Sequence, residues 1–397
     1  MEWKMTWSYL PVNHDICIGT ISNTTLRGRF INNLDGEKIR IKFSNLYSPD
    51  PLILDNVTVA KIKRASNQVE GFEAVKFKGK ETIRIEAGEE FYSDEIDFAV
   101  SSTEDIVLSI YVKEETNIYS VASTWSAKSW YTRYGVDGNY TRESDFPQTD
   151  NYDIYPVLQY DVNRANHIYG ISSIELFTDS KVKTLALFGD SITHMSYYSD
   201  ALTNRLTEQY PGKMTIVNRG LGGNRIIHDY SRMPEIPGGG TIFGGPGVER
   251  FEGDIFKDNT PDRIIVLIGI NDITHPYSLN NLEQVINLDQ YKNAVLKLID
   301  IAHNKGSKIM LGTILPFKYE ETEWFTEAEN LRLEINKWIR EQKHSDGVID
   351  FDLAIRDENT PEKMDDGCHL GDGIHPNDQG GKRMADVVPL ELFIEEE

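Results

Sequence analysis

Along the first 181 residues, apolar and polar side chains alternate over short stretches of the chain. The alternation is clearest at residues 38–43 and 82–86, and β-branched residues dominate 57–62 and 106–112. A period of two places alternate side chains on opposite faces of a strand, as in a half-buried β-strand. Turn-forming sequences separate the stretches, and no long run of helical period interrupts them. The pattern therefore predicts an antiparallel, jelly-roll-like β-sandwich.

From residue 182 the pattern changes to apolar runs that alternate with stretches of helical period. The apolar runs predict strands at 184–188, 214–217, 263–268, 308–314 and 347–351. Apolar residues at helical spacing predict helices at 195–209, 248–256, 288–304, 326–344 and 379–394. Strands and helices in alternation are typical of a three-layer α/β/α domain around a parallel sheet. We therefore expect two domains, a β-sandwich over 1–181 and an α/β domain over 182–397.

Length and charge narrow the possible partners. A chain of 397 residues is long for a single core, which agrees with two domains. The formal net charge of −22 disfavours nucleic acid and anionic membranes as partners and favours a neutral substrate. No apolar run approaches the ~20 residues of a membrane span. The expected partner is a small-molecule or oligosaccharide substrate, and the oligomeric state stays open.

The ends of the chain and its cysteines bear on the compartment. The first ten residues, MEWKMTWSYL, contain no apolar core of a secretory signal. The two cysteines, Cys17 and Cys368, are far apart in sequence and make no disulfide framework. These features predict a protein of the reducing cytoplasm.

The strongest chemical signal is the sequence LALFGDSIT at residues 185–193. An apolar strand that ends in glycine and a small polar residue delivers the next side chain to the carboxyl edge of a parallel sheet. The side chain delivered here is that of Ser191. A serine hydroxyl becomes a useful nucleophile only when a base removes its proton and hydrogen-bond donors stabilise the oxyanion.

Candidates for these partners follow the other predicted strands or precede the last helix. His375 can accept the proton of Ser191 and return it to the leaving group. Asp372, three residues earlier on the same loop, can orient the imidazole. Gly223 offers a backbone N–H that no side chain shields, and Asn271 offers a side-chain amide. Together with the N–H of Ser191 they make a three-donor oxyanion hole.

Four sequence blocks now resemble those of one family. Gly189-Asp190-Ser191, the loop with Gly223, Gly269-Ile270-Asn271-Asp272 and Asp372-Gly373-Ile374-His375 occur in the order of the blocks of the SGNH (GDSL) hydrolases. The resemblance implies a flavodoxin-like fold and ester hydrolysis through an acyl-enzyme, with no metal and no cofactor. It also implies the same roles for Ser191, Gly223, Asn271 and His375, with Asp372 as the partner of the histidine.

A second resemblance concerns the two-domain build. Residues 25–27, 38–44, 138–141 and 245–247 look like segments of bacterial members in which a β-sandwich precedes the catalytic domain. Such proteins are similar to carbohydrate esterases that remove acetyl groups from plant polysaccharide fragments. The leading hypothesis is thus a carbohydrate O-acetylesterase. A lysophospholipase or general short-chain lipase-esterase is one alternative, and a carbohydrate-binding protein with an inert SGNH domain is another.

Several residues near the motifs have more than one interpretation. His194 either lines the acyl pocket or caps the first turn of a helix, and capping is favoured. Asp190 is expected to brace the turn through backbone amides rather than to act in catalysis. The pair Cys368-His369 lacks the paired spacing of structural zinc sites, so no metal is predicted.

Two longer stretches also stay open. The glycine-rich stretch 237–247 lacks the lysine and hydroxyl residue of a phosphate-binding loop and is expected to be a surface loop near the site. The aromatic stretch 125–140 is either a ligand platform or sandwich core, and core is favoured.

Overall fold

The computed structural model describes residues 1–66, 68–147, 154–158, 165–318 and 322–390 of the chain. The chain divides into two compact units. The first comprises Met1–Val182 together with Tyr210–Val217 and Arg232–Thr241, and the second comprises Lys183–Gln209, Asn218–Ser231 and Ile242–Glu397. The assignment of folding domains to 1–181 and 182–397 stays a prediction.

Short β-strands make up the regular structure of the first unit. They are β1 (Glu2–Ser8), β2 (Pro11–Asn13), β3 (Gly19–Ile21), β4 (Thr24–Phe30), β5 (Gly36–Ser44), β6 (Leu52–Leu54), β7 (Asn56–Lys63), β8 (Val69–Ala74), β9 (Ile83–Ile85), β10 (Glu90–Tyr92), β11 (Ile96–Val100), β12 (Glu104–Val112), β13 (Thr116–Ile118), β14 (Ser120–Thr124), β15 (Trp130–Gly135), β16 (Asn166–Ile168) and β17 (Ile171–Thr178).

Two larger antiparallel sheets form the sandwich. One has the strand order β1-β17-β5-β10, with β11 also paired to β5, and the other has the order β15-β4-β12-β7-β8. Apolar side chains from both sheets, among them Leu26, Phe43, Leu108 and Ile174, belong to one buried cluster. The apolar side chains of the alternating stretches therefore face the core between the sheets, as the sequence predicted. The antiparallel β-sandwich is confirmed.

The aromatic stretch divides between the two faces of strand β15. Trp130 is fully buried, stacked on Phe30 at 5.9 Å and edge-on to Trp7 at 5.5 Å between ring centroids. Its neighbour Tyr131 is half-buried and lies on the opposite face of the sheet. The favoured interpretation as core is therefore right for Trp130, whereas Tyr131 faces away from the core.

Strands and helices alternate through the second half of the chain, as the pattern predicted. They are β18 (Lys183–Gly189), α1 (Ser191–His194), α2 (Tyr197–Gln209), β19 (Met214–Gly220), α3 (Gly247–Phe256), β20 (Arg263–Leu267), α4 (Ile270–Ser278), α5 (Leu288–Asn304), β21 (Lys308–Gly312), α6 (Phe325–Glu341), β22 (Gly347–Ile349), α7 (Phe351–Ile355) and α8 (Asp378–Asp386). Short 3₁₀ helices span Pro237–Phe243 and Leu282–Gln284.

The sheet of the second half has the order β19-β18-β20-β21-β22. Strand β18 pairs in parallel with β20, β20 with β21, and β21 with β22. This is the flavodoxin-like order, in which the direction of strand addition reverses between β18 and β20. The reversal opens a crevice at the carboxyl ends of these two strands, where ligands bind in such sheets. The predicted α/β fold is confirmed.

Some helix bounds differ from the prediction. The helix predicted over 195–209 begins at Tyr197, as α2, and the short helix α1 precedes it at Ser191–His194. Ser196, between the two helices, has a left-handed backbone with φ of 73°. Helix α4 was not predicted, and it contains Pro276, a residue that ordinarily argues against a helix interior. Helix α8 ends at Asp386, and the last part of the predicted 379–394 lies outside the described residues. Within the described ranges, no helix has both the length and the apolar character needed to cross a bilayer.

Helices α2 and α8 approach each other very closely. A Cβ atom on Gly381 would lie 2.5 Å from the carbonyl carbon of Tyr197, the first residue of α2. Only glycine permits this approach without moving one of the two backbones. The contact brings the start of α8, and with it the loop that precedes α8, to the region where β18 ends and α1 begins.

Candidate active site

Ser191 is the first residue of helix α1, directly after strand β18. The strand is buried almost throughout, so its end is held firmly at the carboxyl edge of the sheet. Asp190 caps α1, since its side chain accepts a hydrogen bond from the N–H of Ile192 at 3.0 Å. The serine side chain therefore leaves a short, well-braced turn, and the predicted bracing role of Asp190 is confirmed.

The loop before α8 brings His375 and Asp372 to this serine. The distance between His375 Nε2 and Ser191 Oγ is 2.8 Å, and that between His375 Nδ1 and Asp372 Oδ2 is 2.6 Å. All three side chains remain partly accessible. A hydroxyl, an imidazole and a carboxylate in this order form a chain along which a proton can leave the hydroxyl.

Asp372 is held as a carboxylate. Partial burial alone would raise its pKa, but the hydrogen bond and charge of His375, with the N–H groups of His375 and Ile374, hold the pKa of Asp372 well below its ordinary value. These two N–H groups donate to Oδ1 at 2.9 and 3.0 Å, which leaves Oδ2 for the imidazole. The ionised oxygen favours the tautomer that carries hydrogen on Nδ1, with Nε2 facing the serine as an acceptor.

His369 shapes the same loop, a role that the sequence did not reveal. Its Nδ1 accepts hydrogen bonds from the N–H groups of Gly371 and Gly373, at 3.0 and 3.1 Å. Its neighbour Cys368 is buried and free. Among the residues that the structure describes, no group of three or more His, Cys, Asp or Glu side chains is placed to hold a metal ion. His369 thus orders the turn on which Asp372 lies.

The two predicted oxyanion donors, Gly223 and Asn271, both adjoin Asn224. Gly223 precedes it in the chain, and Asn271 contacts its carbonyl oxygen. Gly223 has a φ of 67°, and a Cβ atom there would come within 2.3 Å of the ring of Phe243. Asn271, near the start of α4, donates from Nδ2 to the carbonyl oxygen of Asn224 at 3.0 Å. An amide group carries two hydrogens, so one remains for a ligand oxygen. The loop of Gly223 is also tied to the end of β18, because the N–H of Leu221 donates to the Gly189 carbonyl at 3.1 Å.

Asp272, next to the candidate oxyanion donor Asn271, fixes the chain beyond Asn224. Its two carboxyl oxygens accept from the N–H groups of Ile226 and Ile227 at 2.8 and 3.1 Å. Burial raises the pKa of Asp272 to about 6, against the opposing effect of these two N–H groups and of Arg225. Burial likewise raises the pKa of Asp190 to about 7. Both carboxyl groups are thus internal braces, not groups that face substrate.

His194 has a different role from the helix cap that the sequence favoured. The side chain is buried, and its Nδ1 accepts a hydrogen bond from the N–H of Gly222 at 3.1 Å. That glycine precedes Gly223. The histidine therefore holds the loop that carries Gly223, a candidate oxyanion donor. The predicted role of His194 as a cap on the first turn of a helix is wrong.

The glycine-rich stretch after this loop is ordered where it meets the site. Phe243, at the end of the 3₁₀ helix, is buried and packs on Gly223. The side chain of Asn224 donates to the carbonyl oxygens of Phe243 and Gly245 at 2.6 and 2.9 Å. Residues 243–245 therefore pack against the loop of Gly223, which agrees with the expected position of this stretch near the site.

Arg250 joins three segments of the site. Its guanidinium donates to the carbonyl oxygens of Gly189 and Arg219 at 2.8 and 3.0 Å and to Asn224 Oδ1 at 2.9 Å. It also lies 4.1 Å from the centre of the Phe188 ring. A planar group with several fixed donors can hold three backbone segments in one geometry, which a lysine cannot do.

The variant Arg250→Lys is therefore expected to lower kcat by between about tenfold and about a hundredfold, with KM nearly unchanged. A lysine keeps the charge but lacks the planar set of N–H donors of a guanidinium. The serine and its oxyanion donors then lose their mutual alignment. Steady-state kinetics on a soluble ester, with the melting temperature measured in parallel, check this result.

Arg205→Lys serves as the matched control. Arg205 also donates to backbone carbonyls, those of Ala385 and Val388, but touches none of the loops of the site. A loss of kcat that is equal in the two variants, or one that only follows the folded fraction, would show that Arg250 supports the fold alone.

The second half of the chain is similar to known proteins. Residues 187–383 match the model of the GDSL-like Lipase/Acylhydrolase family. Solved structures with a similar fold include an acetylxylan esterase from Geobacillus stearothermophilus, 21% identical, with a TM-score of 0.40 over 55% of this chain and 97% of that one. Another is an alpha/beta hydrolase from the metagenome of Lake Arreo, Spain, 19% identical, with a TM-score of 0.39 over 52% of this chain and 92% of that one.

A search of curated protein sequences found no match. The family model spans the strand that delivers Ser191, both candidate oxyanion donors and the loop of Asp372 and His375. Residues 187–383, which form most of the second half of the chain, belong to the GDSL-like lipase/acylhydrolase family.

Proposed function

We propose that the protein is a serine esterase that removes O-acetyl groups from carbohydrates, in particular oligosaccharides derived from plant polysaccharides. The observation that carries the proposal is the hydrogen-bonded chain from Ser191 through His375 to Asp372 within a domain of this hydrolase family. The choice of a carbohydrate follows from the two-domain build that the sequence resembles. The net charge of −22 supports a neutral ester over a polyanionic partner or an anionic membrane.

In the first half-reaction, Ser191 Oγ attacks the carbonyl carbon of the acetyl ester while His375 Nε2 takes the hydroxyl proton. The electrons of the carbonyl π bond move onto the carbonyl oxygen, which becomes an oxyanion. The proposed donors to this oxyanion are the N–H groups of Ser191 and Gly223 and the side-chain amide of Asn271. When the tetrahedral intermediate collapses, the bond to the sugar oxygen breaks. That oxygen takes the proton from His375, and the acetyl group stays on the serine.

In the second half-reaction, water takes the place of the sugar. His375 removes a proton from the water, whose oxygen attacks the acetyl carbonyl, and the same donors stabilise the second oxyanion. Collapse releases acetic acid and returns the proton to Ser191 Oγ. The ionised Asp372 stabilises the imidazolium that exists between these steps and keeps its orientation.

Hydrolysis of p-nitrophenyl esters of increasing chain length, followed by NMR on acetylated xylo-, manno- and pectic oligosaccharides, tests the substrate class. Acetyl esters should be cleaved fastest, and the oligosaccharides should lose acetyl groups from defined hydroxyl positions. Faster turnover of long acyl chains, with activity that rises at micelle surfaces, would identify a lipase or lysophospholipase instead. A cytoplasmic location is also part of the proposal, and fractionation of the source cells tests it.

On its acid side, the pH profile of kcat/KM should report the protonation of a single group. The pKa of Asp372 lies well below its ordinary value, so this carboxylate stays ionised at mildly acidic pH. A general base accepts a proton only in its neutral form, so activity should fall at acid pH. A profile measured in constant-ionic-strength buffers should rise with unit slope. A flat profile between about pH 5 and pH 8 would exclude His375 as the base.

A further inference from the structure

The β-sandwich unit contains a pocket that the proposed reaction does not use. Its cavity volume is about 370 Å³, and it lies on the outer face of the sheet β15-β4-β12-β7-β8. The floor is formed by Ile62, Val69 and Val107, which belong to a small apolar cluster apart from the main core. Residues of the segment after β15 close one side.

Strand β15 sends two side chains into this pocket. Trp130 points into the sandwich core, and the alternation of a strand then directs Tyr131 and Arg133 to the outer face. The guanidinium of Arg133 lies 5.3 Å from the centre of the Tyr131 ring. Phe146 provides a second aromatic wall. Aromatic walls over an aliphatic floor suit a ring with one apolar face.

The charge of the pocket is positive in a chain that is strongly acidic. Arg27 is buried, and its guanidinium donates to Ser109 Oγ and to the carbonyl oxygens of Tyr140 and Glu143 at 2.7 to 2.9 Å. None of these partner atoms is a carboxylate oxygen. Burial lowers the pKa of Arg27 to about 10, with an opposing effect of the Glu143 charge. The positive charge of Arg27 is thus balanced by a hydroxyl, by carbonyl oxygens and by the Phe146 ring at 4.5 Å, and these partners carry no formal negative charge.

Two further guanidinium groups line the pocket, those of Arg29 and Arg133. Arg29 shares the carboxylate of Asp105 with Arg64, which lies outside the pocket lining, at 2.8 and 3.0 Å. Arg133 is exposed, and within the described part of the chain it forms no ion pair. An unpaired guanidinium at the mouth of a pocket can bind a carboxylate through two parallel hydrogen bonds.

The lining of the pocket is not suited to a simple anion alone. Asp145 and Ser144 lie at the exposed rim, and Asp145 would repel a phosphate or a bare carboxylate placed beside it. Its oxygens would instead accept hydrogen bonds from hydroxyl groups. The pocket thus combines a site for one carboxylate, an acceptor for hydroxyls and aromatic walls. These are the features that a sugar ring with a single carboxylate complements.

We propose that this pocket binds a uronic acid residue, with the sugar carboxylate on Arg133, its hydroxyls on Asp145 and Ser144, and its ring against Tyr131. The choice of a sugar rests on the proposed function, whereas the preference for a carboxylate rests on the charges of the pocket alone. Such a site would hold an acetylated oligosaccharide that carries a single uronic acid residue.

Isothermal titration calorimetry on the whole protein tests the site. The binding constants of D-glucuronic acid, D-glucose, acetate and phosphate are measured separately. Glucuronic acid should bind, and the other three should bind at least about tenfold more weakly, since glucose lacks the charge and acetate and phosphate lack the sugar ring with its hydroxyls. Equal binding of glucose and glucuronic acid, or absence of glucuronic acid binding at millimolar concentration, would overturn the proposal. Tighter binding of acetate or phosphate would show a general anion site and would also overturn it.

Variants of two arginines locate the binding. Arg133→Gln should weaken glucuronic acid binding about tenfold and leave hydrolysis of p-nitrophenyl acetate unchanged. Arg142→Gln is the matched control, because Arg142 is an exposed arginine of the same unit that does not line the pocket. Binding that Arg133→Gln leaves intact, or that both variants reduce equally, would place the ligand elsewhere.

The two proposals fail in distinguishable ways. If the protein binds glucuronic acid but deacetylates no carbohydrate, the pocket stands and the proposed substrate is wrong. If it deacetylates oligosaccharides but does not bind glucuronic acid, the enzyme stands and the pocket proposal is wrong.

Discussion

Replacing Ser191 by alanine is expected to lower kcat by about six orders of magnitude, the effect found when the nucleophile of a serine hydrolase is removed. Without Oγ no acyl-enzyme can form, and His375 loses its proton donor at 2.8 Å. The fold should persist, because the serine side chain is small and partly exposed. Kinetics on p-nitrophenyl acetate and mass spectrometry after a serine-directed phosphonate measure the result, with the label expected on Ser191 alone.

A second serine–histidine contact supplies the control. Ser231 Oγ lies 2.9 Å from His275 Nδ1 in the same domain. Burial lowers the pKa of His275 to about 4, and among the described residues no carboxylate bonds its ring. Ser231→Ala should therefore keep activity near that of the natural protein. If Ser191 stays unlabelled and the unaltered protein hydrolyses no ester while it still binds carbohydrate, the chain is a binding protein with an inert hydrolase domain. Full activity of Ser191→Ala would instead show that Ser191 is not the nucleophile.

Asn271→Ala is expected to lower kcat by between about a hundredfold and about a thousandfold, with a small change in KM. The lost amide would act mainly on the oxyanion, which exists only near the transition state. Its other hydrogen bond, to the Asn224 carbonyl, means that the variant also loses some stability. Steady-state kinetics should be combined with thermal unfolding so that the two effects are separated.

Asn336→Ala is the matched variant for stability. Its side chain also donates to a buried carbonyl, that of Ile314 at 2.8 Å, but it lies on α6 and touches no residue of the site. This variant should lose stability and keep kcat per folded molecule. A kcat of Asn271→Ala that equals that of Asn336→Ala would remove Asn271 from the oxyanion hole.

The fold class could be predicted because its signals are local. Alternation over residues 38–43 and 106–112 follows from the period of a strand, and the helix at 288–304 follows from a period of 3.6 that ends before Gly306. The strand-to-turn signal before Ser191 is equally local. Helix α4 escaped prediction because it contains Pro276, a residue that ordinarily argues against a helix interior.

Support for the site was harder to predict, because its contacts join distant segments. The sequence marked His194 as ambiguous, and the structure assigns it to the N–H of Gly222. Nothing in the sequence indicated that Arg250 would bond the carbonyl oxygens of Gly189 and Arg219 or that His369 would order the loop of Asp372. Such bonds depend on the final distance between loops, which no local period encodes.

By itself the sequence determined the alternation of strands and helices, the position of Ser191 after a buried strand and the chemical types of its candidate partners. Only the tertiary structure decided that His375, 184 positions later, lies within hydrogen-bond distance of that serine. The physical reason is that periodicity and turn chemistry act over a few neighbouring residues. The meeting of two loops depends instead on the parallel sheet order and on the close glycine contact between α2 and α8.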